Sequence, residues 1–129
     1  MDSNEVLTSI LGSLKQKYNH LNQIYDATRE LEKTRFDDEV TFSTLLKLRQ
    51  NSMDNIDKLD DDIKKSMQAL SSSLREKINE LLFPSGKTVT LDNPLQTNIF
   101  DTAKSNIQLL KRIIDADERF NEAVHKQHK

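Results

Sequence analysis

The chain has 129 residues, of which 35% are hydrophobic and 31% are charged, and its 21 acidic and 19 basic side chains give a formal net charge of −2. This length and apolar content support one domain. The nearly balanced charge argues against binding to nucleic acid or to an anionic membrane surface. The absence of cysteine excludes disulfides, thiolate metal sites and cysteine nucleophiles.

Apolar residues do not form long runs anywhere in the chain. The longest, residues 81–83, is far shorter than the ~20 residues of a membrane helix or the 7 to 15 of a signal-peptide core. The sequence therefore predicts a soluble protein with no membrane insertion and no export signal of the usual kind.

Helix breakers are rare and concentrated in one region. Only two glycines and two prolines occur, and Pro84, Gly86 and Pro94 fall within eleven residues. Residues 87–91 are the one stretch with the β-branched character of a strand. These features predict a chain that is almost entirely α-helical.

The first predicted helix covers about residues 3–35. Its apolar positions alternate spacings of three and four, which is typical of a coiled-coil-like seam. Asp2 or Ser3 is a candidate N-cap, and Glu5 adds favourable charge in the first turn. The seam residues are Leu7, Leu11, Leu14, Tyr18, Leu21, Tyr25 and Thr28.

The second predicted helix covers about residues 41–82 and keeps the seam phase of the first. An alternative to two separate helices is therefore one continuous helix that joins the first and second segments. Against it, the successive seam positions Glu32, Arg35 and Glu39 are all charged, so we expect a break between about Arg35 and Thr41. The serines at 71–73 are the weakest point of the second helix, and a kink is expected there.

A loop over residues 83–93 separates this helix from a third, predicted over about 94–124, with Asn93 as cap and Pro94 as first residue. A frayed tail of residues 125–129 follows. The three segments predict an all-α fold, an antiparallel helical hairpin with a third long helix along it in a coiled-coil-like bundle.

An acidic cluster lies within the second helix and comprises Asp54, Asp57, Asp60, Asp61 and Asp62. It lacks the glycine turn and ligand spacing of a calcium loop, so a solvated face, offset by solvent or by Lys58, Lys64 or Lys65, is the better interpretation. Asp60 falls on the seam, where Arg49 or Arg112 is a candidate partner.

No motif predicts catalysis, a cofactor or a metal site. His125 and His128 lack further ligands at suitable spacing, and His20 stands alone. Residues 84–88 contain Gly-Lys-Thr, but Leu81 replaces the first glycine of a phosphate loop. Serine motifs of hydrolases are absent, so we expect a protein that is not an enzyme.

Amphipathicity is the remaining signal, and it is strongest in the third helix. Its stripe is either core or a surface that binds a partner helix, since helix-in-groove recognition uses the same spacing. The two interpretations are compatible. The stripe consists of Ile99, Phe100, Ala103, Ile107, Leu110, Ile113 and Ile114.

Two consecutive segments of the second helix carry a resemblance to a known family. Residues 45–50 are Leu-Leu-Lys-Leu-Arg-Gln, and residues 53–60 are Met-Asp-Asn-Ile-Asp-Lys-Leu-Asp. This pattern, after an acidic turn at residues 37–39 and before the last helix at 109–119, resembles the small bacterial flagellar export chaperones of the FliT and FlgN type. Residues 83–92 have no counterpart in the resemblance.

The resemblance implies a cytoplasmic chaperone that needs no cofactor. Such a protein binds the C-terminal helices of a hook-associated or filament-cap protein, prevents their premature assembly and delivers them to the export apparatus. The implied contact stripe is Ile99, Phe100, Ile107, Leu110 and Ile114, and the opposing wall is Leu46, Met53 and Ile56.

Other classes remain open at this stage. A structural coiled-coil homo-oligomer, including a homodimer, predicts an elongated assembly without a client and a third helix that is permanently buried. A spectrin-type repeat fits the length but lacks its usual tryptophan. A small secreted helical factor or a phage-encoded adaptor has a similar composition.

Overall fold

The computed structural model describes residues 2–86 and 88–127. These residues form four helices and no strand: α1 (Ser3–Lys33), α2 (Glu39–Gln68), α3 (Ser72–Leu82) and α4 (Pro94–Gln127). The predicted all-α fold is confirmed. Residues 88–91, within the stretch that had strand character, have no regular secondary structure.

The first two helices begin at capping aspartates. The Asp2 side chain accepts a hydrogen bond from the backbone N–H of Glu5 at 2.8 Å. Asp38 accepts one from Thr41 at 3.2 Å and starts α2. Because each carboxylate also meets the positive end of the helix dipole, these caps fix both helix starts. The predicted break near residues 35–41 is therefore confirmed, at residues 34–38.

The sequence predicts one helix up to residue 82, and the structure corrects this prediction. Helix α2 ends at Gln68, and α3 starts at Ser72. Ser71 accepts a hydrogen bond from the Leu74 N–H at 3.4 Å and caps α3. The Arg75 guanidinium donates to the backbone carbonyls of Met67, Gln68 and Leu70. Carbonyls that lose their helical partners at the end of α2 thus gain charged donors, which stabilises the break.

A connector leads from α3 to α4 and contains Gly86 at φ +83°, a left-handed conformation that favours glycine. Asn93 then accepts the N–H of Gln96 at 2.9 Å and caps α4, as predicted. The helix continues to Gln127, past the predicted end near 124, so residues 125–127 are helical. Residues 128 and 129 of the predicted tail lie outside the described residues.

Pairs of contacting residues give the direction of each helix. Moving from Lys17 to Gln23 along α1, the partners on α2 change from Asp60 to Ser52, so α1 and α2 are antiparallel. Moving from Leu14 to Glu32, the partners on α4 change from Asn106 to Arg119, so α4 runs parallel to α1. Helix α1 is the spine of the bundle, because it packs along both α2 and α4, while α3 packs on α4.

The buried apolar residues that the structure describes include two packed clusters, the first core and the second core, and five more are buried outside both: Ala27, Leu31, Leu59, Ala116 and Phe120. The first core joins the beginning of α1, the end of α2, α3 and the beginning of α4, and it contains Val6, Leu7, Ile10, Leu11, Leu14, Ile63, Met67, Leu70, Ile78, Leu81, Leu82, Ile99 and Ala103. The second core is smaller, with Leu21 and Ile24 of α1 against Leu109 and Ile113 of α4. Beyond the second core, Phe42 packs between Phe36 and Phe120, at 5.7 Å from each ring centroid.

Within the described residues, none of the helices combines the length and the apolar character that crossing a membrane requires.

Candidate functional site

The predicted contact stripe of α4 is divided by the fold. Ile99 is fully buried in the first core, so it is a core residue and not a contact residue of the folded protein. Phe100 is half-buried against the same core. Ile107 is half-buried, whereas Leu110 and Ile114 are 46% and 49% exposed. The exposed apolar surface of the predicted stripe is therefore largest at Leu110 and Ile114.

The predicted opposing wall lies on α2. Leu46 is 43% exposed. Met53 and Ile56 are half-buried and pack on the second core. None of the three is sealed in the interior, so the wall remains available along its length.

The geometry brings these two sets of residues to one face. The Arg49 guanidinium of α2 meets the Asp117 carboxylate of α4 at 2.8 Å. Residues three and four positions apart share a helix face. Leu46 and Met53 therefore lie on the side of α2 that carries Arg49, and Leu110 and Ile114 on the side of α4 that carries Asp117. We call this surface the α2–α4 face, consisting of Leu46, Met53, Ile56, Ile107, Leu110 and Ile114.

The face is open, because no other helix of the described residues covers it. Helix α3 ends at Leu82 and packs on the beginning of α4, where Ile99 and Ala103 are buried. Helices α2 and α4 have few direct contacts with each other, in contrast to their extensive packing on α1. Leu110 and Ile114 of α4 therefore remain exposed beyond the end of α3, while Leu109 and Ile113 are buried in the second core.

Other exposed apolar side chains are scattered singly. Val40, Leu48 and Phe83 are exposed, but Leu48 lies on the other side of α2 from Leu46. Single exposed apolar residues are normal on protein surfaces. Leu46, Leu110 and Ile114 differ from them because they border one shared surface with partly buried neighbours.

Polar groups separate the two cores and set the helix register. Lys17 pairs with Asp60 at 2.9 Å, and the buried Asn106 donates its Nδ2–H to the Leu14 carbonyl at 3.2 Å. The sequence had suggested Arg49 or Arg112 as the partner of Asp60. The structure corrects this, because the antiparallel register places Asp60 beside Lys17 and leaves Arg49, only 12% exposed, for Asp117.

The remaining aspartates of the acidic cluster face solvent. Asp54, Asp57, Asp61 and Asp62 are exposed, and within the described part of the chain none of them forms an ion pair within 4 Å. Asp54 accepts one hydrogen bond, from the Gln50 amide at 2.9 Å. Lys58, Lys64 and Lys65 thus make no direct pairs with the cluster. In residues 2–86 and 88–127, no group of three or more His, Asp or Glu side chains has metal-binding geometry.

A second surface runs along the outer side of α1 and α4. Two shallow depressions there, of about 470 and 270 Å³, share Tyr18 and Ser105. Their walls are mostly amide, hydroxyl and charged groups, including Asn19, Asn22 and Gln108. Tyr18, predicted to lie on the seam, is 37% exposed here.

Tyr25 lines the second depression and accepts a hydrogen bond from Arg29 at 3.0 Å. This hydrogen bond raises the pKa of the Arg29 guanidinium above its usual value, and the group stays charged.

Lys87, in the loop that contains Gly-Lys-Thr, and His128, one of the paired tail histidines, lie outside the described residues.

Comparisons of the chain with protein-family models, with curated proteins and with solved structures gave no significant match. The resemblance to flagellar export chaperones therefore remains a prediction from the sequence.

Proposed function

We propose that this protein is a helix-binding chaperone, which holds an amphipathic helix of a protein client on the α2–α4 face. One observation carries the proposal: Leu46, Leu110 and Ile114 are each nearly half exposed on the facing sides of two helices that Arg49 and Asp117 hold together. An amphipathic helix presents apolar residues at the same spacing of three and four positions.

The size of the face sets the expected affinity. Covering the exposed parts of the three side chains contributes roughly 1 kcal/mol each, with smaller contributions from Met53, Ile56 and Ile107. Association also costs translational freedom and side-chain order. A micromolar dissociation constant corresponds to about −8 kcal/mol, so these six side chains alone give binding weaker than micromolar. A complex of this strength releases its client readily, as a chaperone requires.

The resemblance of residues 45–50 and 53–60 gives this proposal a specific form. The client is the C-terminal helical segment of a hook-associated or filament-cap protein. The chaperone acts in the cytoplasm, prevents premature assembly of that segment and delivers it to the export apparatus. Clients of this kind have apolar helices that associate with one another when free, and the α2–α4 face offers such helices a matching surface.

The test is binding of the purified protein to C-terminal segments of hook-associated and filament-cap proteins, measured by titration calorimetry. The variant Leu110→Asp with Ile114→Asp places two charges on the face, and we expect it to weaken binding at least tenfold with helicity retained. The matched control is Ser105→Asp with Gln108→Asp, on the outer side of the same helix, which leaves binding unchanged.

Circular dichroism of each variant separates lost binding from lost folding. Equal binding by the face variant and the control would assign the client to another surface. Sedimentation of the free protein addresses the structural alternative. An elongated homo-oligomer that binds none of the segments would favour a coiled-coil protein without an export client.

A further inference from the structure

The α2–α4 face has a charged border on each side, and the two borders differ in sign. On α2, Asp54, Asp57 and Asp61 follow each other at spacings of three and four residues and lie beside Met53. All three are exposed and, among the described residues, have no ion-pair partner within 4 Å. This edge of the face is acidic from residue 54 to residue 61, and Lys64 follows one turn later.

The border on α4 is basic over the corresponding length. Lys104 and Lys111 are seven residues apart and share one side of the helix, next to Ile107. Lys104 lies over the Phe100 ring at 5.4 Å, and within the described residues neither lysine forms an ion pair. The charge along this side of α4 becomes negative one turn later, at Asp115.

The antiparallel register places the two borders opposite each other. Arg49 faces Asp117, so α2 residues after position 49 lie opposite α4 residues before position 117. Asp57 and Asp61 therefore lie across the face from the stretch between Lys104 and Lys111. A helix bound on the face would have acidic groups along one flank and basic groups along the other.

We propose that these borders orient the bound helix, which carries basic residues on the flank beside α2 and acidic residues on the flank beside α4. The inference rests on the proposed function and adds the chemistry and direction of the partner. Turning a bound helix end for end exchanges its flanks, so one of its two directions pairs opposite charges and the other opposes like charges. Exposed pairs are individually weak, but several acting together give a preference of about tenfold at low salt.

The test uses two synthetic amphipathic peptides with the same leucine stripe. One has lysines on the first flank and glutamates on the second, and the other has these flanks exchanged. Each peptide carries a fluorescent donor at its N-terminus. Because the chain has no cysteine, the variants Ser43→Cys and Gln68→Cys each give a single site for an acceptor. These exposed positions near the two ends of α2 are about 37 Å apart along the helix.

We expect energy transfer from one peptide to be stronger to the acceptor at position 43, and from the other to be stronger to the acceptor at position 68. The variant Asp57→Lys with Asp61→Lys reduces this preference. The matched control Asp26→Lys with Asp101→Lys, on the outer side of the bundle, retains it. Raising the salt concentration to about 0.5 M also reduces it, since exposed charges are then screened.

The possible results distinguish failure of the proposed orientation from failure of the proposed function. The same transfer ranking for both peptides, or equal transfer to both sites, would overturn the orientation while leaving helix binding intact. Failure of both peptides to bind would overturn the proposed function together with the orientation. A homodimer that excludes both peptides would assign the face to a second copy of the chain and would likewise overturn the inference.

Discussion

The two cores of the bundle use similar residues but bury different numbers of them. In the first core, thirteen of the described residues are buried, and α1, α2, α3 and α4 all contribute. In the second core, four are buried, all from α1 and α4, with Met53 and Ile56 of α2 only partly covered. Ile99 and Ile114 on the same helix are 0% and 49% exposed.

Whether an apolar residue of α4 is buried therefore depends more on the number of helices around it than on the apolar content of α4. Helix α3 supplies a fourth wall for the first core and ends before it reaches the second. A partner helix on the α2–α4 face would supply the missing wall. The comparison therefore links local stability to the proposed binding function.

The largest expected effect comes from an isoleucine series along α4. We expect Ile99→Ala to lower the free energy of unfolding by about 4 kcal/mol, because it leaves a cavity in the closely packed first core. Ile113→Ala in the second core should cost about 2 kcal/mol, since its partly covered surroundings adjust more easily. Ile114→Ala should cost less than about 1 kcal/mol. Urea unfolding measures all three.

Equal costs for Ile99→Ala and Ile113→Ala would contradict the comparison and show that the two cores are equally rigid. A large cost for Ile114→Ala would mean that this residue is buried in the folded protein, and would remove it from the proposed binding surface.

A smaller effect is expected where Arg49 and Asp117 join α2 to α4. Asp117→Ala should cost about 2 kcal/mol, because it leaves the Arg49 guanidinium, 12% exposed, without its carboxylate. The double variant Arg49→Met with Asp117→Leu should recover most of this loss, since two packed apolar residues replace the pair. Chemical denaturation of Arg49→Met, Asp117→Leu and the double variant measures the coupling.

Additive losses in that cycle would show that the pair contributes no coupling energy between α2 and α4. We also expect hydrogen exchange in Asp117→Ala to increase at the second core more than at the first, since this contact lies nearer the second.

The smallest effect concerns the glycine inside α1. A Cβ atom at Gly12 would meet nothing within 4 Å, so Gly12→Ala should raise the free energy of unfolding by about 0.5–1 kcal/mol through helix propensity alone. The control is Gly86→Ala. There the space is also open, but φ is +83°, and we expect a loss of about 1 kcal/mol. Thermal unfolding of both variants checks the opposite signs.

The starts of the helices could be predicted from the sequence because they depend on local chemistry. Asp2, Asp38 and Asn93 are capping residues followed by amphipathic repeats, and each caps a helix in the structure. The apolar periodicity predicts a kink but not a full break at residues 69–71, because the seam keeps its phase through them. What stabilises that break is Arg75, which reaches three carbonyls, and this contact leaves no periodic signal.

The candidate surface was predicted only in part, for a related reason. Periodicity places Ile99, Ile107 and Leu110 on one stripe of α4, but it does not say which neighbour covers each residue. That depends on where α3 ends and on the divergence of α2 from α4. The sequence likewise suggests Arg49 or Arg112 as the partner of Asp60, whereas the structure shows Lys17, since a seam position defines a side of the helix but not the antiparallel register.

The position of α1 as the spine also bears on the order in which the chain is synthesised. Its last residue, Lys33, precedes the first residue of α4 by about sixty residues. At roughly 5–20 residues per second, translation leaves the side of α1 that faces α4 without its partner for several seconds. The α1–α2 hairpin has the more local contacts and is able to form in that interval. Docking of α4 then completes the bundle. Helix α4, which bears half of the α2–α4 face, is therefore the last of the four helices to be synthesised.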